Sequence, residues 1–228
     1  MEILGIEKVS LVDFEGKICA TIFTGGCNYK CPFCHNSGIV NKEYIKHDED
    51  EILNYLKERK KLLDAVTISG GEPTLQPDLE QFITTIKEMG YLVKLDTNGT
   101  LPTVLENLFE KKLIDYVAMD IKNNFEDYSL VTNTTNPLVE NVKQSLKLLK
   151  KYKVSYELRT TLVEEFHSEE NIRKMTEDLK NEKTLFLQKF VEKETCFAKN
   201  LNPVKREIAE KYKQILSSTI QDVELRGY

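Results

Sequence analysis

The chain has 228 residues, 40% hydrophobic and 30% charged, which is enough for one large domain with a sizeable core and excludes wholesale disorder. A formal charge of −5 and a pI near 5.5 give no electrostatic case for nucleic acid. No apolar run approaches the ~20 residues of a membrane span. The N-terminus lacks a basic segment followed by an apolar one, so neither export nor membrane insertion is expected. The expected compartment is the cytosol, where clustered cysteines point to metal or redox chemistry and not to disulfides.

Residues 8–12 and 18–24 read as strands joined by a turn at Asp13–Lys17. The second runs into Gly25-Gly26 and then Cys27, Cys31 and Cys34, a C-x3-C-x2-C spacing that places three of the five cysteines within eight residues. Apolar periodicity predicts a helix over 48–63, then a short buried strand at 65–68 that ends in Ser69-Gly70-Gly71-Glu72-Pro73. Pro77 and Gly90 bracket the next helix. A strand at 92–95 ends in Asp96-Thr97-Asn98-Gly99, a helix covers 102–111, and a strand at 116–119 ends in Asp120-Ile121-Lys122. Residues 123–136 read as a loop, and Asn136-Pro137 starts a helix. A strand at 154–162 contains Arg159, Ser168 starts a helix, and 185–188 form a further strand. Asn202-Pro203 begins a last helix, and 223–225 suit a terminal strand.

Strands alternating with helices imply a parallel sheet with helices outside it, and sites on such sheets lie at the carboxyl ends of the strands. The cysteines, Gly-Gly-Glu-Pro, Asp-Thr-Asn-Gly and Asp-x-Lys all fall there, and no repeat or domain boundary interrupts 1–228, so one domain is expected. Thiolates this close need a metal centre to share their charge, and three do not fill a four-ligand site. A cubane held by three cysteines leaves one iron open to a ligand. Gly70 and Gly71 would let a ligand approach the backbone. Glu72 can pair with an ammonium group, and Lys122 and Arg159 with a carboxylate, which together suit an amino acid. Asp96 and Asp120 could share a hard cation such as Na⁺, K⁺ or Mg²⁺.

The loop Cys27-x3-Cys31-Pro32-Phe33-Cys34-His35-Asn36, together with Gly70-Gly71-Glu72-Pro73, resembles the radical S-adenosylmethionine (SAM) superfamily. Within it the chain looks most like the glycyl-radical-enzyme activases, and among those the activating proteins of anaerobic ribonucleoside-triphosphate reductase. Val9–Lys17 is also similar to that group's opening. The resemblance implies a partial (β/α)6 TIM-like barrel and a [4Fe–4S] cluster on Cys27, Cys31 and Cys34, with SAM on the open iron. Phe33 would lie near the adenine, Glu72 and the Gly70-Gly71 backbone at the SAM amino group, and Thr97, Asn98, Lys122 and Arg159 around the rest. One electron would cleave SAM to methionine and a 5′-deoxyadenosyl radical, which takes hydrogen from a glycine of a partner enzyme. Flavodoxin or ferredoxin is the implied electron donor.

Formate-lyase activases have a SAM-binding histidine after the last barrel strand, where this chain has Gln188-Lys189-Phe190-Val191; its last histidine is His167. Cys19 reads as a small buried thiol, Cys196 as an incidental one, and His35 as a hydrogen-bonding neighbour of the cluster. The alternatives are a radical SAM enzyme acting on a small molecule such as a deazapurine precursor, and a non-catalytic zinc module on Cys27, Cys31, Cys34 and His35.

Overall fold

A computed structural model describes residues 1–228. The strands are β1 (Ile3–Ser10), β2 (Cys19–Thr24), β3 (Ala65–Gly70), β4 (Leu92–Thr97), β5 (Tyr116–Asp120), β6 (Ser155–Leu162), β7 (Thr184–Lys189) and β8 (Asp222–Arg226). The helices are α1 (Ser37–Val40), α2 (Glu49–Arg59), α3 (Leu79–Glu88), α4 (Pro102–Glu110), α5 (Tyr128–Thr132), α6 (Val139–Tyr152), α7 (Glu169–Asp178) and α8 (Arg206–Leu216). This is the expected α/β alternation. No helix is long and apolar enough to cross a membrane.

The chain forms two compact units, each built from three separated segments: 1–28, 38–118 and 140–155, and 29–37, 119–139 and 156–228. In the first, β2, β3 and β4 are parallel neighbours and β1 pairs antiparallel with β2. Ala20, Ile22, Val66, Ile68, Val93 and Leu95 are fully buried, the continuous apolar pattern of strands covered on both faces. Helix α3 turns Leu79, Phe82, Ile83 and Ile86 inward, and its polar positions stay outside. In the second unit β6, β7 and β8 run parallel, with Leu158, Leu162, Leu185 and Leu187 fully buried.

Four boundaries differ from the sequence reading. The first strand is Ile3–Ser10, not 8–12, because the Ser10 hydroxyl accepts from Val12 N (3.3 Å) and Asp13 N (3.2 Å) and turns the chain there. The 123–136 loop contains α5, anchored by the fully buried Tyr128. Helix α6 begins after Pro137, since Leu138 has φ +53° and cannot continue a right-handed helix. Pro203 forms an antiparallel bridge with Val163, so α8 starts only at Arg206. Ser168 caps α7 as expected, in a reciprocal box with Asn171.

Candidate active site

In the first unit the parallel register aligns Thr24 with Gly70 and Ile68 with Leu95, so the segments leaving β2, β3 and β4 emerge together. Gly71 N donates to Thr24 O (2.9 Å) and Glu72 N to Gly26 O (2.8 Å). A Cβ on Gly70, whose φ is +114°, would fall 2.3 Å from Thr24 N, and one on Gly71 1.8 Å from Gly26 O. Both residues must therefore be glycine, but what occupies the cleared space at these Cβ positions is the chain's own approach to Cys27, not a ligand.

Glu72 is 1% exposed. Its Oε1 accepts from Thr74 N (3.1 Å), Thr74 Oγ1 (2.5 Å) and Thr97 Oγ1 (2.8 Å), and Oε2 accepts from Asn98 N (2.6 Å). Burial pushes its pKa up against these four donors. The carboxylate expected to meet an ammonium group thus accepts two bonds within its own loop, from Thr74, and two from Thr97 and Asn98 that tie the β3 loop to the β4 loop. Asp96 accepts from Ser69 Oγ (3.1 Å) and lies 3.1 Å from the Lys94 ammonium.

Asn98 Oδ1 accepts from Thr100 N (3.0 Å) and Thr100 Oγ1 (2.7 Å). Its NH2 group therefore faces the other way, toward Asn28 Oδ1 (2.8 Å) and Cys27 Sγ (3.9 Å). Asn28 closes the ring by donating to Thr100 Oγ1 (2.8 Å). From α6, Ser145 Oγ and Asn141 Nδ2 bind the carbonyls of Gly99 (2.7 Å) and Thr100 (2.8 Å). The sequence reading missed Asn28 and Thr100; an Asn directly after a cysteine and a Thr after Asn-Gly carry no signal of their own.

In the second unit Cys34 N donates to Cys31 O (3.0 Å), making a tight turn between the two thiols. None of the five cysteines forms a disulfide. Burial pushes the Cys31 thiol up to about 11 despite the nearby Lys122 ammonium, and raises Cys34 against a backbone hydrogen bond involving Asn36. Tyr29 and Lys30 shape the loop: Tyr29 Oη donates to Pro137 O, and Lys30 N to Thr132 O (3.1 Å).

Lys122 and Arg159 meet a carboxylate of the chain itself. Asp120 Oδ2 accepts from Lys122 Nζ (2.9 Å) and Oδ1 from Arg159 Nε (2.9 Å). Burial alone would raise the Asp120 pKa, but the two cations outweigh it and hold the group at about 2. Two residues that the sequence reading did not place in the site, Tyr128 and His167, fix this trio. Tyr128 Oη accepts from Lys122 N (3.2 Å) and lies 3.4 Å from Asp120 O. His167, 2% exposed, donates from Nε2 to Lys122 O (3.0 Å) while Nδ1 accepts from Val163 N (3.1 Å).

Residues 191–198 strap the cysteine loop. His35 Nε2 donates to Val191 O (2.6 Å), Ala198 N to Pro32 O (2.8 Å), and Ser37 Oγ to Thr195 O. Cys196 is buried with Sγ 3.8 Å from Phe33 O, so it is a packed part of this strap. The Phe33 ring is buried, with ring centres 6.2 Å from Phe166 and 6.3 Å from Phe190, and His35 stacks on Phe190 at 5.8 Å. The imidazole expected as a hydrogen-bonding neighbour, and under the zinc reading as a ligand, is thus engaged by the strap.

The donor set suits an iron–sulfur cluster: three soft thiols on one short loop, with an amide N–H group aimed at Cys27. Parallel strands alternating with helices, and a three-cysteine loop leaving the end of β2, define the class as an α/β protein with a candidate cluster loop at the end of a strand. Residues 21–180 match the radical SAM superfamily, and the chain belongs to it. That family uses a [4Fe–4S] cluster and SAM.

A Methanocaldococcus jannaschii protein, provisionally named a glycyl-radical enzyme activating enzyme, is 38% identical over 213 residues, covering 90% of this chain and 88% of the relative. The pyruvate formate-lyase-activating enzyme of Clostridium pasteurianum is 33% identical over 184 residues, covering 77% and 75%. Among solved structures, Streptococcus suis SuiB bound to S-adenosylmethionine superposes with a TM-score of 0.66 at 16% identity, over 89% of this chain and 48% of that one, a likeness of fold alone.

Proposed function

We propose that this chain is a glycyl-radical-enzyme activase whose cluster is held by Cys27, Cys31 and Cys34. The reading rests above all on the 38% identity to a relative named for that activity, which extends over nearly the full length of both chains. When bound, the cluster and SAM supply a one-electron cleavage of the SAM sulfonium. The residues of the chain bind, orient and exclude. The Gly70-Gly71 turn and Glu72 hold the backbone that leads into Cys27. Asp120 holds Lys122 and Arg159 in place to receive the SAM carboxylate, and the buried Phe33, packed on Phe166 and Phe190, is assigned to the adenine side of the site by the family resemblance.

For the partner we propose anaerobic ribonucleoside-triphosphate reductase. Support comes from the Cys-Pro-Phe-Cys-His-Asn run and from residues 9–17, where Val9 near the end of the first strand and Leu11 and Val12 just after it stand exposed. A flavodoxin or ferredoxin is the proposed electron donor. The reducing cytosol is the proposed compartment, since clustered cysteines there point to metal or redox chemistry.

The test is anaerobic reconstitution with iron and sulfide, reduction with dithionite and addition of SAM, assayed for 5′-deoxyadenosine. Single Cys→Ala changes at positions 27, 31 and 34 run in parallel, followed by a search for a glycyl EPR signal on candidate reductases. Cysteine-dependent SAM cleavage and a glycyl signal on the reductase are expected. A fully formed cluster that never cleaves SAM, even with partners present, would overturn the proposal.

A further inference from the structure

The Asn98 side chain points its NH2 group at Cys27 Sγ, and its orientation is dictated by its other end. Thr100 donates to Asn98 Oδ1 from both its backbone N–H (3.0 Å) and its hydroxyl (2.7 Å). A backbone N–H can only donate, so the amide cannot be turned over without setting two donors against each other. One amide hydrogen then goes to Asn28 Oδ1 (2.8 Å), and the other is left for Cys27 Sγ at 3.9 Å. The backbone of Asn98 is pinned in turn by Glu72 (2.6 Å), and the following turn is held from α6 by Ser145 and Asn141. With Asn98 5% exposed and Thr100 fully buried, water does not compete for these groups.

We infer that Asn98 is a positioning residue that donates a hydrogen bond to the Cys27 thiolate, favouring the reduced cluster and fixing the Cys27 rotamer. The inference rests on the proposed ligand role of Cys27. Hydrogen bonds to ligand sulfur raise a cluster's reduction potential because the extra electron places more negative charge on sulfur. Only one such bond is at stake, so the effect is graded and not all-or-none.

The experiment is a redox titration of the reconstituted full chain without SAM, following the EPR signal of the reduced cluster. It compares the native chain with Asn98→Ala, Asn98→Asp, Asn98→Ser and Cys27→Ala. Asn98→Asp is nearly isosteric and keeps the acceptor that Thr100 uses, but presents a carboxylate where the donor was. At a fixed poise, the ratio of reduced to oxidised cluster should fall severalfold for Asn98→Ala. For Asn98→Asp it should fall about tenfold or more, a shift of ~59 mV or more in a one-electron couple. Asn98→Ser, which retains a donor, should lie between Asn98→Ala and the native chain.

Midpoints that match the native chain in Asn98→Ala and Asn98→Asp, with the cluster fully loaded, would overturn the inference. Should either variant fail to load, the order among the remaining ones decides in the same way. A Cys27→Ala chain that loads and titrates like the native one would instead overturn the ligand assignment itself, a separate failure.

Discussion

The carbonyl oxygen of Gly26 lies so close to Gly71 that a Cβ there would sit 1.8 Å from it. This contact joins the segment entering the cysteine loop to the turn after β3, and it makes the second glycine of Gly-Gly-Glu-Pro a packing requirement. Gly71→Ala should therefore cost about 3 kcal/mol and reduce cluster uptake. Gly16→Ala is the control: its φ is +69° but nothing lies within 4 Å of the added carbon, so only the left-handed strain of about 1–2 kcal/mol applies. Anaerobic urea denaturation of both variants, with iron counted per chain, checks the contrast. Equal losses in the two would show that the Gly26 contact is not the cause.

Glu72 joins the same loop to Thr97 and Asn98. In Glu72→Gln an NH2 group would face either the Asn98 N–H or the threonine hydroxyls, leaving donors opposed in a buried site. A loss of about 1–3 kcal/mol is expected, measured by denaturant midpoint. A midpoint like that of the native chain would mean the site already holds a neutral Glu72.

Burial holds Cys31 protonated up to about 11 and raises Cys34 as well. Cluster assembly must therefore release protons and should proceed faster as pH rises from 7 to 9. In the folded, metal-free chain, alkylation of Cys31 at pH 8 should run more than tenfold slower than in urea, because the thiolate is the reacting form. Mass-resolved labelling measures this directly, and equal rates would contradict it.

His167 is held neutral by burial, with Nδ1 accepting from Val163 N and Nε2 donating to Lys122 O. Its folded-state pKa lies below the unfolded value of ~6.5. The stability it contributes is therefore complete above that value and is lost as pH falls through the folded-state pKa. Stability between pH 7 and 5 should decline in the native chain, and His167→Gln should flatten that decline. Since burial lowers the His35 pKa too, His35→Gln serves as the comparison.

The placement of the polar clusters at the strand ends was legible in the residues. Cysteine spacing and the position of polar clusters after strands depend on local order along the chain, which a linear reading captures. The β1 boundary was not legible, because a side-chain turn at Ser10 overrode the apolar run through Leu11 and Val12. Nor was α5, a five-residue helix within a polar stretch that is held by the buried Tyr128, Val131 and Thr132. The role of His167 was not legible either, because its partners lie 4 and 45 residues away.

The sequence by itself determined the α/β alternation and the three-thiol loop, which follow from periodicity and fixed spacing, and its motifs carried the resemblance to the family. Only the tertiary structure decided how these groups are used. Parallel register brings Thr24 and Gly70 into line, so the Gly-Gly turn packs on backbone and Glu72 becomes a buried crosslink. The same burial pairs Lys122 and Arg159 with Asp120 and turns the Asn98 amide toward Cys27. The physical reason is that a polar side chain removed from water must find its partner nearby, and which partner is nearby depends on the fold and not on the spacing.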